Sequence, residues 1–135
     1  MSLLRSVYVS LACLDRRDAQ TLVQEIVDHA RSANAAAQIT GALMFDGSRF
    51  AQVLEGPEDK IVRLVDSIAS DRRHENVVLI QQKRVVGRLF TGFSMAYSGR
   101  SVFVGRSIAR TLAGHHGETD DALEQLVRLM LEFTR

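Results

Sequence analysis

The sequence predicts an α+β protein: a ferredoxin-like βαββαβ sandwich with an extra fifth strand, plus a C-terminal two-helix extension on the other sheet face. Three observations predict it. Two strand-like runs, 38–45 (QITGALMF) and 50–55 (FAQVLE), flank the tight turn Asp46-Gly47-Ser48-Arg49. Apolar residues recur at helical spacing on either side of that hairpin, and further strand-like runs follow the second helix.

Taken in order, residues 3–11 place Val7 and Val9 on one side and Ser6, Tyr8 and Ser10 on the other, the alternation of a strand with one polar face. Asp18 is positioned to cap the next segment, where Leu22, Val23, Ile26, Val27 and Ala30 form a helical stripe. After the hairpin, Gly56-Pro57 should break the third strand, with the single proline near the first turn of a helix, where its missing N–H costs nothing. Ile61, Leu64, Val65 and Ile68 mark the buried face of that helix. A fourth strand is expected near 77–86 and a fifth near 93–98. Residues 101–112 then predict a short helix, and Leu123, Leu126, Val127, Met130 and Phe133 a strongly amphipathic one. The first two helices cover one face of the sheet, so the last two are the material available for the other. Residues 1–98 and 99–135 are thus expected as core domain and helical extension of one structural unit.

At 135 residues the chain fits one domain, and 46% hydrophobic with 24% charged residues is ordinary for a globular protein. Seventeen basic against sixteen acidic side chains give a formal charge of +1, which removes the bulk electrostatic case for nucleic acid or an anionic membrane. Lys83, Arg84 and Arg88 read as an exposed strand end rather than a nucleic-acid groove. No apolar run approaches a membrane span, and Cys13 alone cannot build a disulfide framework; a cytoplasmic location is expected. Phosphate-loop, dinucleotide, nucleophile-elbow and zinc-protease motifs are missing. The adjacent His115 and His116 read as a solvated turn, because sequence neighbours do not easily chelate one ion.

The strands carry more information. Gln52 lies between Ala51 and Val53 in an apolar strand, where each unmade hydrogen bond of its amide costs roughly 1–3 kcal/mol. Tyr8 sits on the polar side of another central strand, and Asn34 ends the first helix at the rim of the same crevice. Two accounts are open: Tyr8 and Gln52 satisfy each other while Asn34 caps its helix, or the three converge on a ligand.

Residues 4–10 (LRSVYVS), 33–45 (ANAAAQITGALMF), 50–56 (FAQVLEG), 71–77 (DRRHENV) and 90–95 (FTGFSM) together resemble the BLUF family, blue-light sensors using FAD. The likeness runs from about residue 3 to residue 98, and ITG before the hairpin with FAQVLEG after it is its most specific part. It implies a photoreceptor rather than an enzyme. Tyr8 falls on the photoactive tyrosine, which gives an electron and then a proton to the light-excited flavin. Gln52 falls on the glutamine whose side-chain amide rearranges between that tyrosine and the ring. Asn34 matches the asparagine at the ring's polar edge, and Asp71 a flavin-site aspartate. Arg73 and His74 match residues near the ribityl-phosphate end, and Ile26 and Ile68 the aliphatics that sandwich the ring. Met95 matches the fifth-strand methionine that relays toward the output surface. FAD is the implied chromophore; FMN and riboflavin share the ring that these residues would grip.

Three positions depart from the family's commoner pattern. Ala33 and Ser67 replace polar or basic residues directed at the flavin, each a possible lost hydrogen bond of about 1 kcal/mol, and Phe93 stands where many members have Trp. Tyr97 matches no family site and is read as structural. Nothing after residue 100 resembles a cyclase, a phosphodiesterase or a DNA-binding domain, so the expected partners are the flavin, a downstream signalling protein and further copies of the chain in a homo-oligomer. The competing expectation is a flavin-free ferredoxin-like protein-interaction module, with Ala33 and Ser67 as relics of a decayed site.

Overall fold

A computed structural model describes residues 2–12, 19–71, 74–91, 93–95, 102–113 and 121–133. Five strands, β1 (Leu3–Ala12), β2 (Thr40–Phe45), β3 (Arg49–Pro57), β4 (His74–Val85) and β5 (Phe93–Met95), form one sheet in the order β4-β1-β3-β2-β5. The first four pair antiparallel, and β5 adds to the free edge of β2 in parallel. Helices α1 (Ala19–Ala36) and α2 (Glu58–Ala69) complete the ferredoxin-like unit, and α3 (Val102–Ala113) and α4 (Asp121–Phe133) follow it.

Local chemistry fixes the corners. In the β2–β3 turn the Asp46 carboxylate accepts from the backbone N–H of Ser48 (2.9 Å) and of Arg49 (2.7 Å), while Gly47 supplies φ +110°. Helix α1 ends in a Schellman arrangement: Ile39 N–H donates to the Asn34 carbonyl (2.9 Å) and Gln38 N–H to that of Ala35 (3.2 Å), with Gln38 at φ 60°. The left-handed capping position is therefore Gln38. Asn34 lies within the last turn, and its side chain is buried for another reason. Pro57 is the N-cap of α2, with Glu58 and Asp59 in the first turn, where negative charge complements the helix dipole.

The pleat sorts the core into two layers. Val7, Val9, Ala42, Met44, Ala51 and Val53 face α3 and α4, where Ile108, Leu126 and Met130 are fully buried against them. Leu4, Tyr8, Ile39 and Leu54 face the other way and pack with Ile61 of α2. The expected covering of both faces, by the first and last pairs of helices respectively, is what the chain adopts.

Two expectations are refined. Strand β4 begins at His74 rather than near residue 77, because β1 continues far enough to pair Leu11 with Glu75 and Ala12 with His74. Strand β3 runs on through Gly56 to Pro57, which pair with Leu4 and Leu3. On the polar side of β1, Ser6, Tyr8 and Ser10 are all buried, as the helix-covered face requires, and Ser6 Oγ accepts from Gln82 Nε2 (3.1 Å). Asp18, Tyr97, His115 and His116 lie outside the described residues. Among the described residues no helix is long and apolar enough to cross a membrane.

Candidate functional site

Tyr8 and Gln52 are direct cross-strand partners in the β1–β3 register, so their side chains leave the sheet together on the α1–α2 face. Both are buried, and the Tyr8 hydroxyl donates to Gln52 Oε1. The alternation noted in the sequence explains how an amide reaches this place. Ala51 and Val53 take the tail-helix face, and period 2 turns Gln52 to the opposite one.

Above Gln52 a cleft opens between α1 and α2. Helix α1 contributes Ile26 and Asn34 to it; Ile68 of α2 and Asp71 just beyond that helix line the opposite side. Asn34 is only 2% exposed although it lies in the last turn of a surface helix. Two primary amides, Asn34 and Gln52, thus share a cleft whose walls are otherwise partly aliphatic. An amide carries both donor and acceptor, so this pair suits a flat ligand with an alternating donor–acceptor edge and apolar faces. A flavin ring has that character, and the residues present fit it.

Electrostatics keep the phenol neutral. Burial pushes the Tyr8 hydroxyl well above its ordinary value, and the nearby Asp71 carboxylate raises it further by disfavouring a second negative charge. Tyr8 is therefore held as a proton donor, with its proton directed at Gln52.

Of the residues singled out from sequence, Tyr8, Gln52, Asn34, Asp71, Ile26 and Ile68 come together here. Ala33 and Ser67, the two departures, also line the cleft and present it with small side chains. Met95 pairs with Leu43, which pairs with Gln52, so its backbone occupies the same row of the sheet two strands away, roughly 10 Å. His74 starts β4 opposite Ala12, but its side chain, like those of Phe93 and Met95 and the whole of Arg73, lies outside the described residues.

The sequence reading did not assign His29, Ala30 and Leu64 to the site, although they complete its walls. Their signal was available: they stand three or four residues from Ile26, Ala33 and Ile68, the helical spacing that keeps side chains on one face. Arg88 was also misread. It is not part of an exposed basic strand end; its guanidinium donates to Thr40 Oγ1 (2.7 Å) and to the backbone carbonyls of Glu55 (2.9 Å) and Gln38 (2.8 Å).

A ferredoxin-like sandwich with a polar pair at the floor of a helix-walled cleft defines a small-molecule-binding module. The family model described as "Sensors of blue-light using FAD" matches residues 3–96, most of the chain, and the protein belongs to this BLUF family. Over 56 residues it is 41% identical to the blue light- and temperature-regulated antirepressor BluF of Escherichia coli K12, a match covering 42% of this chain and 14% of that protein. The chain therefore spans only a small part of this relative. The dark-state structure of the BLUF protein BlrB superposes with a TM-score of 0.79 over 97% of this chain and 96% of that one, at 24% identity, a likeness of fold. BlrP1 of Klebsiella pneumoniae, solved with FMN and cyclic diGMP, matches at 32% identity and TM-score 0.66 over 93% of this chain and 29% of BlrP1.

Proposed function

We propose that this chain is a blue-light photoreceptor that holds a flavin in the α1–α2 cleft and switches through Tyr8 and Gln52. The observation that carries the reading is the hydrogen bond from the buried Tyr8 hydroxyl to Gln52 Oε1 at the floor of that cleft, in a member of a flavin-based sensor family. When bound, the flavin supplies absorption of blue light and, once excited, an acceptor for an electron and a proton.

The chain supplies the rest. Tyr8 holds its proton at the phenolic oxygen and is the electron and proton source; burial and Asp71 keep that proton in place in the dark. Gln52 presents its oxygen to Tyr8 and keeps its amide N–H groups for the cleft. Rotation or tautomerisation of the amide exchanges donor for acceptor without displacing a ligand. In a buried site such an exchange is felt by every neighbouring polar group, because no water compensates for it. Asn34 orients the polar edge of the ring, Ile26 and Ile68 hold its faces, and Asp71, Arg73 and His74 serve the ribityl-phosphate side. Ala33 and Ser67 each give up a hydrogen bond to the flavin, which lowers affinity without touching the Tyr8–Gln52 pair.

FAD is the natural occupant in this reading, following the family's description; FMN would satisfy the same ring contacts. The protein turns over no substrate. Its output runs through Met95 in β5 and the α3–α4 layer to a signalling partner or to the homo-oligomeric assembly of the chain, in the cytoplasm.

The test is the visible spectrum of the purified protein in darkness and after blue light. A yellow protein with a small red shift that reverses in the dark is expected. A protein that stays colourless with added FAD would instead make this fold an interaction module without a chromophore.

A further inference from the structure

Glu55 is the only charged side chain among the buried described residues, and nothing in the proposed photochemistry uses it. It lies three residues beyond Gln52 on β3, an odd spacing that puts the two on opposite faces of the sheet. Its carboxylate pairs with Arg5 Nε (2.9 Å) on the neighbouring strand and accepts the backbone N–H groups of Leu89 (2.9 Å) and Phe90 (2.9 Å). Those amides belong to the connection from β4 to β5, strands that sit at the two opposite edges of the sheet.

That connection has little else to fix its first part. Val86 is fully exposed, and a side chain at Gly87 would meet open space. Residues 88–90 are clamped. Arg88 donates to Thr40 Oγ1, to the Glu55 carbonyl and to the Gln38 carbonyl, and Gln38 is the left-handed residue that terminates the helix carrying Asn34. On the far side Phe90 is buried in the cluster formed with Ile108, Leu126 and Met130 of the tail helices. Two tethers to the cleft side, the β3 strand of Gln52 and the α1 terminus of Asn34, thus end on the segment whose next residue packs under α3 and α4.

We propose that Glu55 and Arg88 are positioning residues for signal transfer: they lock residues 88–90 to both parts of the cleft framework, so that a change at Gln52 or Asn34 is delivered through Phe90 to the tail helices. The inference rests on the photoreceptor reading and adds a route across the sheet. The physical basis is that a hydrogen-bonded network anchored on the buried Glu55 and Phe90 moves as a unit, whereas an untethered loop would absorb a small displacement.

The experiment is hydrogen exchange followed by mass spectrometry on the whole chain, with and without blue light, beside the visible spectrum of each sample. Glu55→Gln keeps shape and one acceptor while removing the charge; Arg88→Met keeps the aliphatic stem and removes three hydrogen bonds, and serves if the first variant folds poorly. Both are expected to retain the reversible red shift while the light-dependent exchange difference over residues 121–133 falls at least about fivefold. Arg84→Gln, which breaks only the exposed pair with Glu58, should leave both readouts unchanged. A full light-dependent difference in α4 of a folded Glu55 or Arg88 variant overturns the proposal. So does a wild-type protein that shifts its spectrum without any light-dependent change in α4. A wild-type protein with no spectral shift overturns the photoreceptor reading itself.

Discussion

Tyr8 has no exposed surface, and its neutral phenol is favoured twice over, by burial and by the Asp71 charge. In the unfolded chain the group titrates near 10.0; in the folded one it holds its proton to higher pH. The unfolded state therefore releases a proton first as pH rises, and stability is lost above the unfolded value and keeps falling until the folded group also ionises. This contribution should approach about 1.4 kcal/mol per pH unit. Urea unfolding between pH 9 and 11 should show the wild type losing stability faster than Tyr8→Phe, which lacks the group; parallel curves would mean that the phenol is not held neutral. Gly41 makes a second prediction at this scale. A Cβ there would lie 1.9 Å from the Val53 carbonyl oxygen of the adjoining strand, so Gly41→Ala should destabilise by at least ~2 kcal/mol in the same assay. The ITG motif was legible in the sequence, whereas this close approach of β2 to β3 was not, since it depends on pairing rather than on neighbours along the chain. Glu55 was opaque for the same reason: the amides that it holds stand 34 and 35 positions away.

Among the elements, what periodicity encodes was readable and what pairing decides was not. The stripe of Leu123, Leu126 and Met130 announced α4, and all three are buried against the sheet. By contrast, β4 gains His74 and Glu75 only because β1 reaches them. The candidate site was legible in part. Tyr8, Gln52 and Asn34 stood out as polar residues in awkward places, but the match to a family was needed to bring in Asp71 and the aliphatic walls. The layered arrangement allows a selective test. Leu126 is fully buried on the face remote from the cleft, so Leu126→Ala should cost about 2–5 kcal/mol in urea unfolding and leave the absorption maximum of bound flavin in place. A changed maximum would mean that the tail layer shapes the cleft directly.

At the scale of the molecule, one sheet separates a ligand cleft from a helical layer, and β3 serves both: Gln52 on one face, Glu55 on the other. The strand order places β5 beside β2, so the row Tyr8, Gln52, Leu43, Met95 runs from the centre of the sheet to its edge. A sensor built this way needs no large motion at the cleft, because the switch lies in the strands that carry the tail. In the proposed photochemistry everything downstream depends on Tyr8 as the electron and proton source. With no Trp in the chain, no indole competes for that role. The most direct measurement is the absorption spectrum of Tyr8→Phe before and after blue light, recorded beside the wild type. The expected result is a yellow variant that binds flavin and shows no red shift, while the wild type shifts and recovers in the dark. A Tyr8→Phe protein that switches like the wild type would contradict it.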